Sequence, residues 1–329
     1  MKLNKKTLAL MLTATLSLGA IFTGCNRGGS DDSKGGNGGK KKIAIVVKST
    51  DSPYWQTVKK GAEDAAKKYD VEISFLGAPG GESDINGQVN IVENVINQKV
   101  DGLVLASSDQ KALGPVADKV ADAGIPIVLI DSATDTEKYI AYATTNNEDA
   151  SYQIGKKLGE LVGKKGKVAI VSFTPGAGSA IARESGFKKA IKELYPDMEV
   201  VTTQYCDSDK AKALSITQDI LTSNPDLVGI YGANEQSLVG VARAVKEKGS
   251  KVTVVGFDSS DDVIQLLKDG IIKATAVQMP YEMGYLGVEN IIKNINGEKI
   301  EKNVDTGTTI VTPENMNDAD SKKALYPLE

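Results

Sequence analysis

Apolar residues follow two alternating patterns along the chain from residue 43 onward. Short continuous apolar runs at 43–47, 102–105 and 127–130 are typical of strands that are buried on both faces of a parallel sheet. The stretches between these runs, such as 56–69 and 83–98, carry apolar residues at helical spacing. This alternation predicts βαβ units, and therefore an open parallel sheet with helices on both sides.

The same alternation continues through a second half of the chain, which begins near residue 150. We therefore expect an α/β protein with two doubly wound parallel-sheet lobes. The further strands are predicted at 72–76, 168–172, 199–204, 228–231, 252–257 and 274–277. The further helices are predicted at 114–123, 150–161, 183–194, 211–223, 235–248, 261–268 and 281–295.

The start of the chain has the pattern of an export signal. Three lysines precede an apolar run at 7–22, and small residues precede Cys25. The run is shorter than the roughly 20 apolar residues that span a bilayer, which disfavours the alternative of a membrane-anchoring helix with an incidental cysteine. The segment resembles a bacterial lipobox. That resemblance implies that 1–25 is a lipoprotein signal peptide and that Cys25 is lipidated, which would hold the protein at a membrane.

Residues 26–42 (NRGGSDDSKGGNGGKKK) contain no apolar side chain and many glycines. Such a segment cannot contribute to a core, so we expect a flexible tether between the lipid and the domain. A lipobox with this composition predicts the cell surface of a Gram-positive bacterium. An anchor in a Gram-negative membrane is the alternative.

Composition excludes several classes of function. The 329 residues carry a formal net charge of -4, so nucleic acid is an unexpected partner. Histidine is absent, which removes the commonest general base and metal ligand. If Cys25 is lipidated, Cys206 is left as a single, passive and partly buried thiol. We expect no metal, no cofactor and no enzymatic activity.

Polar and aromatic side chains follow the predicted strands of both lobes. In doubly wound sheets, ligands bind beyond the carboxyl ends of the strands, so these side chains predict a cleft for a small polar ligand. The predicted ligand-binding residues are Lys48, Ser52, Tyr54, Trp55, Asp131, Ser132, Arg183, Asn234, Asp258 and Gln278. From the pattern alone, Tyr54 and Trp55 are equally consistent with core packing and with stacking on a sugar ring.

Three alternative chemistries have weaker support in the sequence. Asp131 and Asp258 resemble an acid/base pair for glycoside cleavage, but they are predicted on different lobes without another catalytic group. The stretch 175–179 (PGAGS) lacks the Gly-Lys-Ser/Thr of a phosphate loop and is better explained as a turn. The carboxylates of 207–209 (DSD) are more typical of a helix cap than of a metal site.

Six motifs resemble type I periplasmic binding proteins for sugars. They are VVKSTDSPYW, IPIVLIDS, ARESGF, YGANE, VVGFDSSDD and ATAVQMP, in that order. The similarity is greatest to ribose- and allose-binding proteins of ABC importers. It implies a clamp of two lobes, 43–145 plus 279–305 and 146–278 plus 306–329, joined by a three-segment hinge near 145–146, 278 and 305.

The resemblance also implies a role for each side chain. Tyr54 and Trp55 would stack on one face of the sugar ring, beside the polar contacts of Lys48 and Ser52. Asp131 would bind hydroxyl groups from the same lobe. The remaining contacts would come from the second lobe and the hinge, through Arg183, Asn234, Asp258 and Gln278.

At two positions the chain departs from those relatives, which leaves alternatives for the identity of the ligand. Ser132 replaces a charged residue of those relatives, and Ser208 replaces an aromatic one. Autoinducer-2 receptors, which carry the same residue types at Lys48 and Asp131, are therefore an alternative to a ribose- or allose-like aldose. The resemblance implies a monomer that delivers its ligand to an ABC permease. The other alternative is a sensor that reports to a histidine kinase.

Overall fold

The structure is a computed structural model that describes residues 39–328. The predicted signal peptide, the lipidation site Cys25 and most of the predicted tether lie outside the described residues. Residues 39–41 have no regular structure, and the first strand begins at Lys42. The tether prediction was wrong for Lys42, whose backbone N–H donates to Asp101 Oδ2 (2.8 Å) at the start of the first sheet.

The first sheet contains six strands, all parallel, in the order β11-β5-β4-β3-β1-β2. Its strands are β1 (Lys42–Val47), β2 (Glu72–Gly77), β3 (Gly102–Leu105), β4 (Ile127–Ile130), β5 (Ala141–Thr144) and β11 (Asn303–Asp305). Its helices are α1 (Pro53–Tyr69), α2 (Ile85–Asn97), α3 (Gln110–Asp122) and α9 (Pro280–Ile295). Apolar side chains cover both faces of this sheet, because its central strands are buried along their whole length.

The second sheet also contains six strands, in the order β12-β10-β9-β8-β6-β7. Its strands are β6 (Lys165–Ser172), β7 (Asp197–Tyr205), β8 (Leu227–Gly232), β9 (Thr253–Phe257), β10 (Ile272–Gln278) and β12 (Thr308–Val311). Its helices are α4 (Asn147–Leu161), α5 (Gly178–Leu194), α6 (Lys210–Ser223), α7 (Glu235–Glu247), α8 (Asp261–Lys268) and α10 (Ala319–Leu325).

The predicted pair of doubly wound sheets is confirmed, with one correction. Strand β12 runs antiparallel to β10, so the second sheet is mixed rather than wholly parallel. Strands β5, β11 and β12 were missed because each is only three or four residues long and partly exposed, so none forms a continuous apolar run.

The chain passes between the two sheets three times. It leaves the first sheet after β5, returns after β10 to the helix α9 that packs on α1, and leaves again between β11 and β12. Asn146 N–H donates to Asp305 Oδ1 (3.2 Å) across two of these crossings. All the apolar cores lie within 43–325, inside one compact unit that begins at Lys40. Within the described part of the chain, no helix is long and apolar enough to cross a membrane.

Several helices begin earlier than the apolar pattern predicts. Helix α5 begins at Gly178 rather than 183, and α4 begins at Asn147 rather than 150. The first turns of these helices consist of small or polar residues except for Ile181, and they carry no helical apolar stripe. A side-chain cap stabilises the start of α4, where Asn146 accepts from Asp149 N–H, whereas α5 begins without a side-chain cap. The early start of α5 places Ser179 in its first turn.

Candidate functional site

The carboxyl ends of the strands of both sheets face each other across a small polar cavity of about 20 Å³. The cavity is lined by Lys48, Tyr54, Trp55, Glu82, Asp131, Phe173, Ser179, Arg183, Asn234, Gln236, Asp258 and Gln278. Eight of the ten predicted site residues are therefore brought together. Their contact with a ligand stays a prediction.

Two larger openings flank this cavity. One has a volume of about 440 Å³ and shares Tyr54, Asp258 and Gln278 with it. The other has a volume of about 360 Å³ and shares Glu82 and Gln236. Each opening therefore shares part of its wall with the central cavity, whose five charged lining residues are all buried.

A buried ion pair forms the first-lobe side of the cavity. Lys48 follows β1, Asp131 follows β4, and Lys48 Nζ lies 2.6 Å from Asp131 Oδ1. Tyr54 Oη donates to Asp131 Oδ2 (3.0 Å). Burial and the negative charge of Asp131 raise the pKa of Tyr54 well above its ordinary value, so Tyr54 keeps its proton and remains a donor. The left-handed backbone of Asp131 (φ 60°) fixes its carboxylate at this corner.

Arg183 organises the second-lobe side, where only 2% of its surface is exposed. Its guanidinium stacks on Phe257, 3.8 Å from the ring centroid. Its Nε donates to Asn147 Oδ1 (2.7 Å), and its Nη1 donates to Ala233 O (2.8 Å). Nη1 also lies 3.9 Å from Asp258 Oδ2. These contacts hold a cation in the site without screening by water.

Asp258 lies between Arg183 and the hinge. Its Oδ1 accepts from Gln278 Nε2 (2.6 Å), and its Oδ2 accepts from the backbone N–H of Glu235 (3.0 Å). Burial raises the pKa of Asp258 above its ordinary value, although Arg183 and these two hydrogen bonds oppose the rise. The ionised carboxylate is therefore held in a site that partly disfavours it.

Two buried acceptors of the site have unused capacity. Gln278 Oε1 accepts no hydrogen bond from the described residues. Asp131 Oδ1 pairs with Lys48 by charge, but it accepts no well-aligned hydrogen bond from those residues. Buried polar atoms normally have partners, so these two atoms are suited to hydroxyl donors of a bound molecule.

Direct hydrogen bonds join the two lobes at the cavity. Lys48 Nζ donates to Ser179 Oγ (3.2 Å), and the hydroxyls of Ser132 and Ser179 lie 2.8 Å apart. On the other side of the cavity, Ser208 Oγ donates to Glu82 Oε2 (2.6 Å). The lobes are therefore in the closed arrangement of a clamp.

Two predicted residues lie beside the cavity rather than on it. Ser132 accepts from Lys48 Nζ (2.7 Å) behind the cavity wall, so it positions Lys48. Ser52 is the N-cap of α1 and accepts from the backbone N–H of Trp55. A direct ligand contact of Ser52 is therefore disfavoured, and its role in this structure is to cap the helix that carries the aromatic pair.

Both interpretations of the aromatic pair describe part of the structure. Tyr54 and Trp55 meet edge to face, with ring centroids 4.9 Å apart, and both line the cavity. Trp55 is also a buried member of the first-lobe core. Its burial fixes the indole, and its Nε1 donates to Glu82 Oε1 (2.7 Å).

Cys206 lies deeper than the sequence analysis expected. It is fully buried in the second-lobe core rather than partly buried, and burial raises the pKa of its thiol to about 12. Asp209 caps α6 by accepting from the backbone N–H of Lys212, as expected of an acidic residue there. Within 39–328, no group of three or more acidic or cysteine side chains is arranged to hold a metal ion.

Sequence reasoning missed four lining residues. Glu82 and Gln236 follow strand ends, so the rule that selected Asp131 would also have selected them. Ser179 lies in the glycine-containing stretch that was interpreted only as a turn. Phe173 directly follows the strand predicted at 168–172, and nothing in the sequence shows that its ring lies near both Lys48 and Arg183.

The fold and the site define a two-lobed binding protein with a polar cleft. The chain belongs to the periplasmic binding protein domain family, whose model matches residues 43–299. It is 28% identical over 303 residues to the ribose import binding protein RbsB of Bacillus subtilis (strain 168), covering 91% of this chain and 96% of that protein.

Two further comparisons agree. The chain is 31% identical over 266 residues to the D-allose-binding periplasmic protein of Escherichia coli (strain K12), covering 76% of this chain and 83% of that protein. The chain is 43% identical in sequence to an ABC transporter solute-binding protein from Agrobacterium vitis, whose crystal structure with bound D-fucose matches this structure with a TM-score of 0.84. The match covers 87% of this chain and 100% of that chain.

Proposed function

We propose that this protein captures a small neutral aldose between its lobes and delivers it to an ABC importer. The observation that carries the proposal is the set of buried charged groups at one cavity. Asp131 and Asp258 supply acceptors for hydroxyl groups, and Lys48 and Arg183 supply donors. A carboxylate with two free acceptor sites suits the vicinal hydroxyls of a sugar.

The charge of the site disfavours an acidic ligand. Among the lining residues, Glu82, Asp131 and Asp258 are acidic, whereas Lys48 and Arg183 are basic. The formal sum is two positive and three negative charges, or -1. A sugar acid or sugar phosphate would add negative charge in a place where water cannot screen it. A neutral, hydroxyl-rich ligand avoids that cost.

The size of the cavity requires that the lobes move. About 20 Å³ is room for roughly one water molecule, whereas small-molecule pockets usually measure about 300–1,000 Å³. A sugar therefore enters only when the interlobe hydrogen bonds break and the lobes rotate apart at the three crossings. Closing around the ligand, less fully than in this structure, would bury the sugar and present a closed surface to a permease.

The named relatives support an aldose over the alternatives. By their names they are import or sugar-binding proteins for ribose and allose, and the similar crystal structure holds D-fucose. They favour binding over catalysis and a sugar over autoinducer-2. Import also fits these names better than a sensor for a histidine kinase. Genes for a permease and an ATPase beside this one would distinguish import from sensing.

Anchoring through Cys25 completes the proposal. A tether of the composition of 26–41 would keep the clamp near a membrane-bound permease while leaving it free to rotate. Mass spectrometry of the protein isolated from membranes would detect acyl chains on Cys25. An N-terminus that is uncleaved or lacks acyl chains would refute this part.

A thermal-shift screen tests the ligand class. The form that begins at Asn26 contains all the apolar cores and would be screened with D-ribose, D-allose, D-arabinose and D-fucose. A sugar at about 100 times its Kd adds about 2.7 kcal/mol, which raises Tm by roughly 5 °C. A sugar acid such as D-gluconate is the matched negative control. No shift with any of the four sugars would refute the proposed ligand class.

A further inference from the structure

Glu82 is a buried carboxylate of the site to which no role has yet been given. It lies in the loop between β2 and α2, where Gly81 (φ 79°) makes the tight turn that directs the chain back towards the cleft. Only 9% of Glu82 is exposed, and it lines both the central cavity and the 360 Å³ opening. A carboxylate in such a position needs strong partners.

The partners of Glu82 come from both lobes. Its Oε1 accepts from Trp55 Nε1 (2.7 Å) in the first lobe, and its Oε2 accepts from Ser208 Oγ (2.6 Å) in the second. Ser208 Oγ in turn accepts from Asn234 Nδ2 (3.0 Å). The chain Trp55–Glu82–Ser208–Asn234 therefore crosses the cleft, and the bond between Glu82 and Ser208 exists only when the lobes are closed.

The Glu82 carboxylate can accept further hydrogen bonds. An ionised carboxylate offers about four lone-pair sites, and these contacts use two of them. Asp131 and Asp258 each have a cation nearby, but within 39–328 no lysine or arginine nitrogen lies within 4.0 Å of Glu82. Its negative charge is balanced only by neutral donors, so a further hydroxyl donor at the cavity would stabilise it.

We propose that Glu82 is a specificity-determining residue of the sugar site, which accepts a ligand hydroxyl beside Trp55 and joins the lobes through Ser208. The inference rests on the proposed function and deepens it, because it assigns a third carboxylate to sugar recognition. It also gives Trp55 a fixed orientation, since the indole N–H that Glu82 holds sets the plane in which the ring faces the cavity.

Three variants separate the parts of this arrangement. Glu82→Gln keeps the shape, one acceptor for Trp55 and a donor for Ser208, but removes the charge. Ser208→Ala removes the interlobe bond and leaves the carboxylate intact. Glu137→Gln makes the same chemical change on the exposed surface and is the matched control. Melting temperatures without sugar verify that each variant is folded.

Calorimetry with the best-binding sugar of the panel and its monodeoxy derivatives tests the inference. We expect Glu82→Gln to weaken binding by about tenfold or more, Ser208→Ala to weaken it less, and Glu137→Gln to leave it unchanged. For one deoxy derivative, the wild type should show weaker binding than for the parent sugar. Glu82→Gln should bind that derivative and the parent sugar equally well, because the missing hydroxyl is the one whose hydrogen bond Glu82 accepts.

Two outcomes would overturn the inference, and they are distinguishable. If the wild type binds a sugar and Glu82→Gln binds it equally well, or if no deoxy derivative shows this coupling, Glu82 has no part in recognition. If the wild type binds none of the sugars, the proposed function fails and this inference fails with it.

Discussion

Replacing Asp258 by Asn should weaken sugar binding much more than it changes the stability of the fold. The variant keeps the size of the side chain. The Oδ1 of the new Asn side chain can still accept from the backbone N–H of Glu235, because that N–H is fixed at the start of α7. Its new NH₂ group would face Gln278, whose amide can rotate so that Oε1, unpartnered in the wild type, accepts from it. The rotation moves Gln278 Nε2 to the place of Oε1, where the described residues offer it no acceptor, so one buried donor is left unpaired.

The effect on stability follows from the pKa of Asp258. Because burial raises that pKa, the folded state holds the proton more tightly than the unfolded state does. The wild type therefore loses stability as the pH rises through the raised pKa, and it regains stability as the pH falls. The amide has no charge to bury, and this gain opposes the cost of the unpaired Gln278 donor and of the carboxylate lost beside Arg183. At pH 7 the free energy of unfolding of Asp258→Asn should therefore lie within about 2 kcal/mol of that of the wild type.

The effect on sugar affinity should be a clear loss. A hydrogen bond to a charged group contributes about 1.5–3 kcal/mol, so loss of the carboxylate should weaken sugar binding by about tenfold to 150-fold. In the wild type, affinity should fall as the pH drops through the raised pKa, and this part of the pH dependence should be absent from the variant. The site therefore gives up stability for function at Asp258.

Urea unfolding would test the expected stability of the variant, and calorimetry on the same protein preparations would test its expected sugar affinity. Asp219→Asn, the same change at an exposed position, should leave stability and affinity unchanged. The reasoning is refuted if Asp258→Asn is destabilised by more than about 2 kcal/mol, which is within the range for an unsatisfied buried group, or if it binds sugar as tightly as the wild type.

Three further predictions concern single contacts. Lys48→Met breaks the buried pair with Asp131, so urea unfolding should show a loss of about 3–5 kcal/mol; a loss below 1 kcal/mol would show that the pair is not strongly coupled to the fold. Ser52→Ala removes the cap of α1, so Tm should fall by an amount that corresponds to a loss of about 1 kcal/mol in the free energy of unfolding, while calorimetry shows unchanged sugar affinity. Weaker binding would make Ser52 a ligand contact. Cys206, buried and with its thiol pKa raised to about 12, should react with a thiol reagent only after unfolding; fast labelling of the folded protein would contradict the described core.

The fold was largely predictable because its central strands are buried on both faces. Runs such as 102–105 and 127–130 are apolar throughout, and the structure places strands with those same bounds there. Strands β5, β11 and β12 escaped prediction because each is short and partly exposed. Helix α5 begins five residues before its predicted start because its first turn consists mostly of small residues and carries no periodic apolar signal.

The site was predictable as far as strand ends determine it. Asp131 and Asp258 directly follow buried strands, and this placement alone brings them to one cavity. The hydrogen bonds between the lobes were not predictable, because nothing in the sequence shows that Ser208 lies beside Glu82. The same limit applies to Ser52, whose position before a helix fits a cap and a ligand contact equally well.

The order of the strands has a consequence for how the chain acquires its structure. The first sheet is complete only when β11 joins β5, and its outer face is covered only when α9 packs on α1. Both elements are synthesised after nearly all of the second sheet. The first lobe therefore cannot finish folding as the ribosome releases it, whereas the second lobe lacks only its final strand and helix. Long-range pairing of this kind slows folding, so we expect refolding from urea to show a fast phase for the second lobe and a slower phase for the first.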